Sequence, residues 1–339
     1  MIRFTCQGQA VTLAPGEHFS RPRELGFRDT PATELLELVA ELERGTPWRD
    51  AVARRFAGAK PWLHAIVASS TRTAFIGPVL PSETTGPVLD IGAGWGQLAR
   101  PLAATRRVLA LEPVAERLAF IRAAARQDGV DGNLSYLEAD YFEVEFAPQF
   151  AAICAIGVLE WVGAFQAAVD PQARQVDFLR KVRRELAPGG MLVLGIENRL
   201  GLKYLLGCPD DHIGVPDIAQ LPARLAAMRW QQATQGTLRS FTYSLDELRR
   251  LLLQAGFERV EFFAAFPDYK LPRQIISLAD GGAALHAWLL AHPIPPEHNG
   301  YDGSPLPAAF QQTLAARYHE LATQGVARHF APSFFVRAT

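Results

Sequence analysis

The seven residues Asp90-Ile91-Gly92-Ala93-Gly94-Trp95-Gly96 constrain this chain more than any other stretch. They follow the apolar pair Val88-Leu89 and precede a helical stretch, Gln97 to Ala104, so they form the expected turn between a strand and a helix. Glycines at such a turn let the backbone bend sharply and approach a ligand with no Cβ in the way. The following helix N-terminus offers unpaired N–H groups to a carboxylate or phosphate. A dinucleotide fingerprint, GxGxxG, would need its last glycine at residue 97, which is Gln97. The pattern is instead GxGxG led by an acid. That weighs against a dehydrogenase or epimerase, as does the lack of an evident Tyr-x-x-x-Lys pair.

From Pro87 onward, short apolar runs alternate with helical stretches, which predicts βαβ units. Strands are expected at Val88 to Ile91, Val108 to Glu112, Leu134 to Ala139, Phe150 to Ile156 and Met191 to Ile196. Helices are expected at 97–104, 114–126 and 172–187, the last ending in Pro188-Gly189-Gly190. Ser244 and Glu247 form a capping box before a helix over Leu245 to Ala255, which Gly256 terminates. Val260 to Phe263 and Ser333 to Val336 complete a seven-stranded count. The expected fold is α/β: a doubly wound, Rossmann-like sheet with ligand at the carboxyl ends of its strands. Residues 32–57 predict two amphipathic helices broken at Gly45-Thr46-Pro47, followed by a third over 61–73. The expected organisation is a helical extension or lid over 1–80 and a body over 81–339, with insertions near 198–240 and 281–328.

Composition narrows the partners. Of 339 residues, 49% are apolar, enough for a packed core. The net charge of −1 gives no general pull toward nucleic acid or an anionic membrane. Cys6, Cys154 and Cys208 are odd in number and far apart, so neither a disulfide framework nor a cysteine zinc site is expected. With no secretory leader visible at the N-terminus, a cytoplasmic location is expected. Phe150 to Val169 is nearly long and apolar enough to span a bilayer. Glu160 within it would cost roughly 2.5–3.5 kcal/mol there, so a buried strand ending at a functional carboxylate is preferred.

Over roughly residues 86–197 the chain resembles class I S-adenosylmethionine-dependent methyltransferases. Val88 to Gly96 matches that family's first motif, and the resemblance implies that Asp90, Gly92, Ala93 and Gly94 contact the cofactor. Glu112 stands where the family places an acid on both ribose hydroxyls, a role that suits a carboxylate facing two donors. Asp140, with Tyr141 beside it, matches the acid that accepts from the adenine amine. Ala155 to Val162 resembles the fourth motif and implies Gly157 in the cofactor site, although the family's frequent histidine after the glutamate is here Trp161. Leu186 to Gly190 resembles the turn before the fifth strand. A nucleic-acid amino-methyltransferase would instead show an acid or amide followed by Pro-Pro and an aromatic, where this chain has Gly157-Val158-Leu159-Glu160.

Three further segments, Ile196 to Tyr204, Pro209 to His212 and Phe266 to Pro272, resemble a methyltransferase subgroup of bacterial glycan assembly that works beside sugar-transferring enzymes. This implies a glycan or small-molecule acceptor, O-methylation of a sugar hydroxyl, and glycosyltransferases as partners. Glu197, Asn198, Tyr204, Asp211 and Tyr269 are the expected substrate contacts. Methyl transfer to a hydroxyl needs alignment and removal of a proton. His212, flanked by Asp210 and Asp211, is the first candidate base because histidine titrates near neutrality. Glu160 is the rival. No metal is expected, since the contiguous Asp210-Asp211-His212 would rarely point at one ion. A small-molecule methyltransferase and a non-catalytic nucleotide-binding subunit are the alternatives.

Overall fold

A computed structural model describes residues 1–22, 27–82, 84–294 and 306–339. Residues 295–305 of the expected insertion and 23–26 of the expected extension lie outside the described residues. The elements in chain order are β1 (Ile2–Cys6), β2 (Gln9–Leu13), β3 (His18–Ser20), α1 (Ala32–Glu43), α2 (Trp48–Phe56), α3 (Pro61–Ala68) and α4 (Thr71–Ile76). There follow β4 (Val88–Ile91), α5 (Ala99–Ala103), β5 (Val108–Leu111), α6 (Ala115–Gln127), β6 (Leu134–Glu138), β7 (Val144–Phe146) and β8 (Phe150–Ile156). Next are α7 (Pro171–Glu185), β9 (Leu186–Glu197), α8 (Leu202–Leu205), α9 (Ala223–Thr234) and α10 (Leu245–Gln254). The last are β10 (Val260–Phe266), β11 (Gln274–Ser277), α11 (Ala283–Ala291), α12 (Ala308–Thr323) and β12 (Ser333–Ala338). The chain divides into two compact units, residues 1–155 with 181–192, and residues 156–180 with 193–339.

In the first unit the strand order is β3-β6-β5-β4-β8, followed by the start of β9. β3, β6, β5, β4 and β8 pair in parallel with their neighbours. β4, β5, β6 and β8 are buried at every position, because a parallel sheet covered on both faces requires apolar residues on both. The first twenty residues are not helical, as the extension over 1–80 was expected to be. β1 pairs antiparallel with β2 and with β7, while β3 adds an edge strand beside β6. The predicted helices follow as α1 and α2, separated at Gly45, whose φ is +97°. Leu38, Val52 and Phe56 from these helices share one apolar cluster with Trp95 and Phe120. Residues 1–80 therefore belong to the unit that carries the glycine loop, and no boundary falls at 80.

The second unit is built on the end of β9, then β12, β10 and β11 in that order. β10 runs antiparallel to both β12 and β11. The expected seven strands are β4, β5, β6, β8, β9, β10 and β12, and β3 and β11 are additional edges. α10 starts as predicted, with the Ser244 N–H donating to Glu247 Oε2 at 2.9 Å. The segment after β8 is a set of turns held by one guanidinium: Arg239 donates to the carbonyls of Gly163, Ala164, Gln166 and Val169 at 2.5–2.9 Å. Among the described residues no helix is long and apolar enough to cross a membrane.

Candidate functional site

The glycine loop is shaped by its own sequence. Gly92, Gly94 and Gly96 all have positive φ, at +65°, +57° and +75°. A Cβ on Gly96 would lie 3.1 Å from Ile121 and 3.2 Å from Arg100, so this glycine also lets the loop pack on α6. The Ala93 N–H donates to Leu111 O at 3.0 Å. The Gln97 side chain, standing where a dinucleotide fingerprint has glycine, accepts from Trp95 N–H at 3.1 Å and closes the turn.

Two buried acids stand at this loop. The Asp90 carboxyl is pushed up to about 7 by burial, with Arg72 opposing and Glu112 adding to the shift. Glu112 accepts from Gly94 N–H at 2.8 Å through one oxygen and from Val114 N–H at 3.0 Å through the other. Burial pushes its carboxyl up against the pull of Arg117 and these N–H groups. Sequence reasoning missed the next layer. Arg117 sits 3.9 Å from Glu112 and bonds Asp29 at 2.8 Å, and the Trp95 indole N–H donates to the same Asp29 oxygen at 3.1 Å. Asp29 lies in a stretch without periodicity, so only its place beside the loop marks it.

Three expected cofactor contacts have other local duties. Asp140 accepts from Phe142 N–H at 2.8 Å and caps the turn Tyr141–Glu143. The Tyr141 hydroxyl is committed to Glu185, which also bonds Lys181, so this hydroxyl serves as a buried strut. Gly157 belongs to the second unit, where a Cβ would fall 2.7 Å from the Tyr269 hydroxyl. Its glycine is required by that approach.

The second unit holds a buried polar cluster. His212 Nε2 lies 3.5 Å from Glu160 Oε1 and 3.3 Å from Glu197 Oε2, and its Nδ1 lies 3.4 Å from Asp210 Oδ1. Glu160 is wholly buried and its Oε2 has no hydrogen-bond partner among the described residues. The Tyr269 hydroxyl donates to Glu160 Oε1 at 3.3 Å. Lys270 bonds Glu197 Oε1 at 2.5 Å and Asp211 at 3.3 Å, and Lys203 bonds Asp211 at 2.8 Å. Burial pushes the His212 imidazole down, but Glu197, Asp210 and Glu160 outweigh it and hold the ring well above its ordinary value. Burial raises Glu160, whereas in Glu197 the Lys270 and His212 charges overcome burial and hold the carboxyl well below the usual range. Trp161, standing where the family pattern often has histidine, packs edge-on against His212 with ring centroids 5.3 Å apart. A histidine from a distant segment thus stands beside that position.

Of the expected substrate contacts, Glu197, Asp211 and Tyr269 are in this cluster. Asn198 is not available to a substrate: its amide donates to His329 O and Ala331 O at 2.9 and 2.8 Å and accepts from Leu200 N–H at 3.0 Å. Tyr204 is likewise a core residue, 1% exposed and packed with Cys208 and Ala219. Lys203 and Lys270 were missed as members, since lysines 67 residues apart give no signal until the fold places both on one carboxylate. A cavity of about 240 Å³ in the same unit is lined by Arg199, Asp210, Phe241, Tyr243, Glu247 and Arg250, among others.

Residues 89–194 match the family model described as a methyltransferase domain. This segment is a methyltransferase domain. It has the Rossmann-like α/β fold, and the cofactor of such a domain is S-adenosylmethionine. The chain is 27% identical over 121 residues to a ubiquinone biosynthesis O-methyltransferase of Rickettsia akari, covering 35% of this chain and 43% of that protein. It is 29% identical over 175 residues to the protein of the same name from Roseobacter denitrificans, covering 51% and 60%. The chain therefore spans less than half the length of the first relative and three fifths of the second. Among solved structures, the methyltransferase domain and its surroundings are similar to phosphoethanolamine N-methyltransferase 2 of Haemonchus contortus with S-adenosyl-L-methionine, at 15% identity and a TM-score of 0.45, covering 89% of this chain and 59% of that one. A possible histamine N-methyltransferase of Thermotoga maritima gives 15% identity and a TM-score of 0.43, covering 85% and 98%.

Proposed function

We propose that the protein transfers the methyl group of S-adenosylmethionine to a hydroxyl of a small molecule, with a sugar or glycan-precursor hydroxyl as the acceptor. One observation carries this reading. The three segments that resemble the glycan-assembly subgroup, far apart in sequence, send Glu197 and Lys203, Asp210, Asp211 and His212, and Tyr269 and Lys270 into one buried cluster with Glu160. Segments kept only for loop packing have no need of a shared set of buried charges, which costs free energy to assemble.

The sulfonium supplies an activated methyl group, so the protein's tasks are to align the acceptor and receive its proton. Alignment accounts for roughly 7–11 kcal/mol of the barrier and a positioned base for about 10²–10⁴-fold. Asp90, Gly92, Ala93, Gly94 and Glu112, with Asp140, hold the cofactor. Glu160 and His212, 3.5 Å apart, receive the hydroxyl proton as one unit. The cavity lined by Asp210, Phe241 and Tyr243 mixes charged and aromatic groups, which suits a hydroxyl-bearing ring. Glycosyltransferases of the same pathway are the proposed partners, in a cytoplasmic setting where the three free cysteines stay reduced. A second reading, a role in ubiquinone biosynthesis, is favoured by the names of the curated relatives.

The test is incubation of the purified protein with S-adenosylmethionine and fractionated small-molecule and glycan extracts. We expect S-adenosylhomocysteine to appear together with a glycan species heavier by one methylene. Methylation confined to a quinone-type lipid supports the second reading. S-adenosylhomocysteine binding with no turnover on any fraction would leave a nucleotide-binding subunit.

A further inference from the structure

We infer that Glu160, Glu197 and His212 form a binding site for one divalent first-row metal ion. The inference deepens the reading of this cluster as the reacting site, but it concerns metal binding and can fail or stand apart from methyl transfer. The ligand atoms come from three separated segments, and all lie within 4.8 Å of one another. Sequence reasoning considered only Asp210-Asp211-His212, contiguous residues that rarely point at one ion; the converging acids are 52 and 15 residues before the histidine.

Three features of the cluster fit a cation. The first is spacing. Ligands at about 2.0–2.1 Å from a tetrahedral ion stand about 3.3–3.4 Å from each other. His212 Nε2 lies 3.3 Å from Glu197 Oε2 and 3.5 Å from Glu160 Oε1. The second is orientation. A ligating histidine usually presents its other ring nitrogen to a carboxylate, which fixes the tautomer. Asp210 Oδ1 stands 3.4 Å from His212 Nδ1, and the same oxygen is itself fixed by the backbone N–H groups of His212 and Ile213 at 2.8 and 3.2 Å. Glu197 divides its oxygens in the same sense, with Oε1 on Lys270 and Oε2 toward His212.

The third is charge. Glu160, Glu197 and Asp210 surround His212, while Lys270 pairs with Glu197 and Asp211, and Lys203 with Asp211. The acids hold the His212 imidazole well above its ordinary value, so positive charge is favoured at its Nε2. A divalent ion bound there would stand in for the imidazole proton and supply the compensation that buried carboxylates need. Glu160 Oε2, fully buried and with no hydrogen-bond donor among the described residues, is the oxygen most in need of it. Two carboxylates and one imidazole suit zinc, cobalt or manganese, and three protein ligands leave a further position for a hydroxyl oxygen.

Cobalt(II) added to the chelator-treated full-length protein tests this. We expect one equivalent to bind, with the intense visible absorption of a four-coordinate oxygen–nitrogen site, and zinc to displace it. His212→Gln and Glu160→Gln should abolish that absorption, and Asp210→Asn should weaken cobalt binding about 10–100-fold. The near-ultraviolet circular dichroism and thermal transition of each variant, compared with wild type, verify that the second unit, which carries the cluster, is folded. The inference is overturned if wild-type protein binds no stoichiometric cobalt, zinc or manganese. It is equally overturned if cobalt bound to the wild type keeps its spectrum in the folded His212→Gln and Glu160→Gln variants.

Discussion

Among single residues, Asp90 carries the clearest cost of building the glycine loop. Its carboxyl titrates at about 7 in the fold against 3.8 in an open chain. Between those values the folded chain keeps a proton that the unfolded chain has lost, so stability falls as pH rises through the window and is level above it. The difference amounts to something on the order of 4 kcal/mol. Asp90→Asn should therefore raise the melting temperature relative to wild type more at pH 8 than at pH 4, while weakening S-adenosylhomocysteine binding. A melting difference independent of pH would show that Asp90 is ionised in the fold. Glu112→Gln turns one acceptor into a donor facing a backbone N–H. Losing a charge-assisted bond of about 1.5–3 kcal/mol should lower S-adenosylhomocysteine affinity about 10–100-fold by calorimetry. For the cluster, His212→Ala and Glu160→Gln should each reduce turnover at least about 100-fold, and the double variant should be hardly worse than either. Multiplying losses in the double variant would mean that the two act separately.

At the scale of elements, α6 is where loop and helix depend on each other. Gly96→Ala combines a φ of +75° with a Cβ 3.1 Å from Ile121, and should destabilise by about 1–3 kcal/mol in denaturant titration. An unchanged midpoint would mean that the loop relaxes freely. β4, β5, β6 and β8 were legible in the sequence because strands buried on both faces become continuous apolar runs with turn residues between them. β1 and β3 were not. Ile2–Cys6 alternates correctly, but its partners are a hairpin neighbour and β7, more than a hundred residues later. His18-Phe19-Ser20 is too short to show any period. The same asymmetry holds at the site. The placing of Asp90 and Glu112 at the glycine loop was legible because each ends or sits in a strand beside a motif, whereas Asp29, Lys203 and Lys270 are recognisable only through what they touch. The side-chain bonds of Tyr141 and Asn198 were not legible for the converse reason: both are polar and stand past strand ends, yet Glu185 and three backbone groups take up their hydrogen bonds.

For the molecule as a whole, the first eighty residues are structural members of the cofactor-binding unit. β3 completes the edge of β6, and α1 and α2 bury the face on which Trp95 and Phe120 lie. Deleting residues 1–80 should therefore abolish S-adenosylhomocysteine binding and the cooperative thermal transition of that unit; a truncated protein that still binds with wild-type affinity would restore the view of a separable lid. The order in which the chain visits its two units has a further consequence. It crosses from one to the other after residues 155, 180 and 192, so helix α7 and strand β9 are each shared between them. No single cut in the coding sequence releases either unit whole, and a chimera joined at one breakpoint inherits an incomplete half from each parent. Exchanging either unit between related chains therefore takes three junctions, after residues 155, 180 and 192.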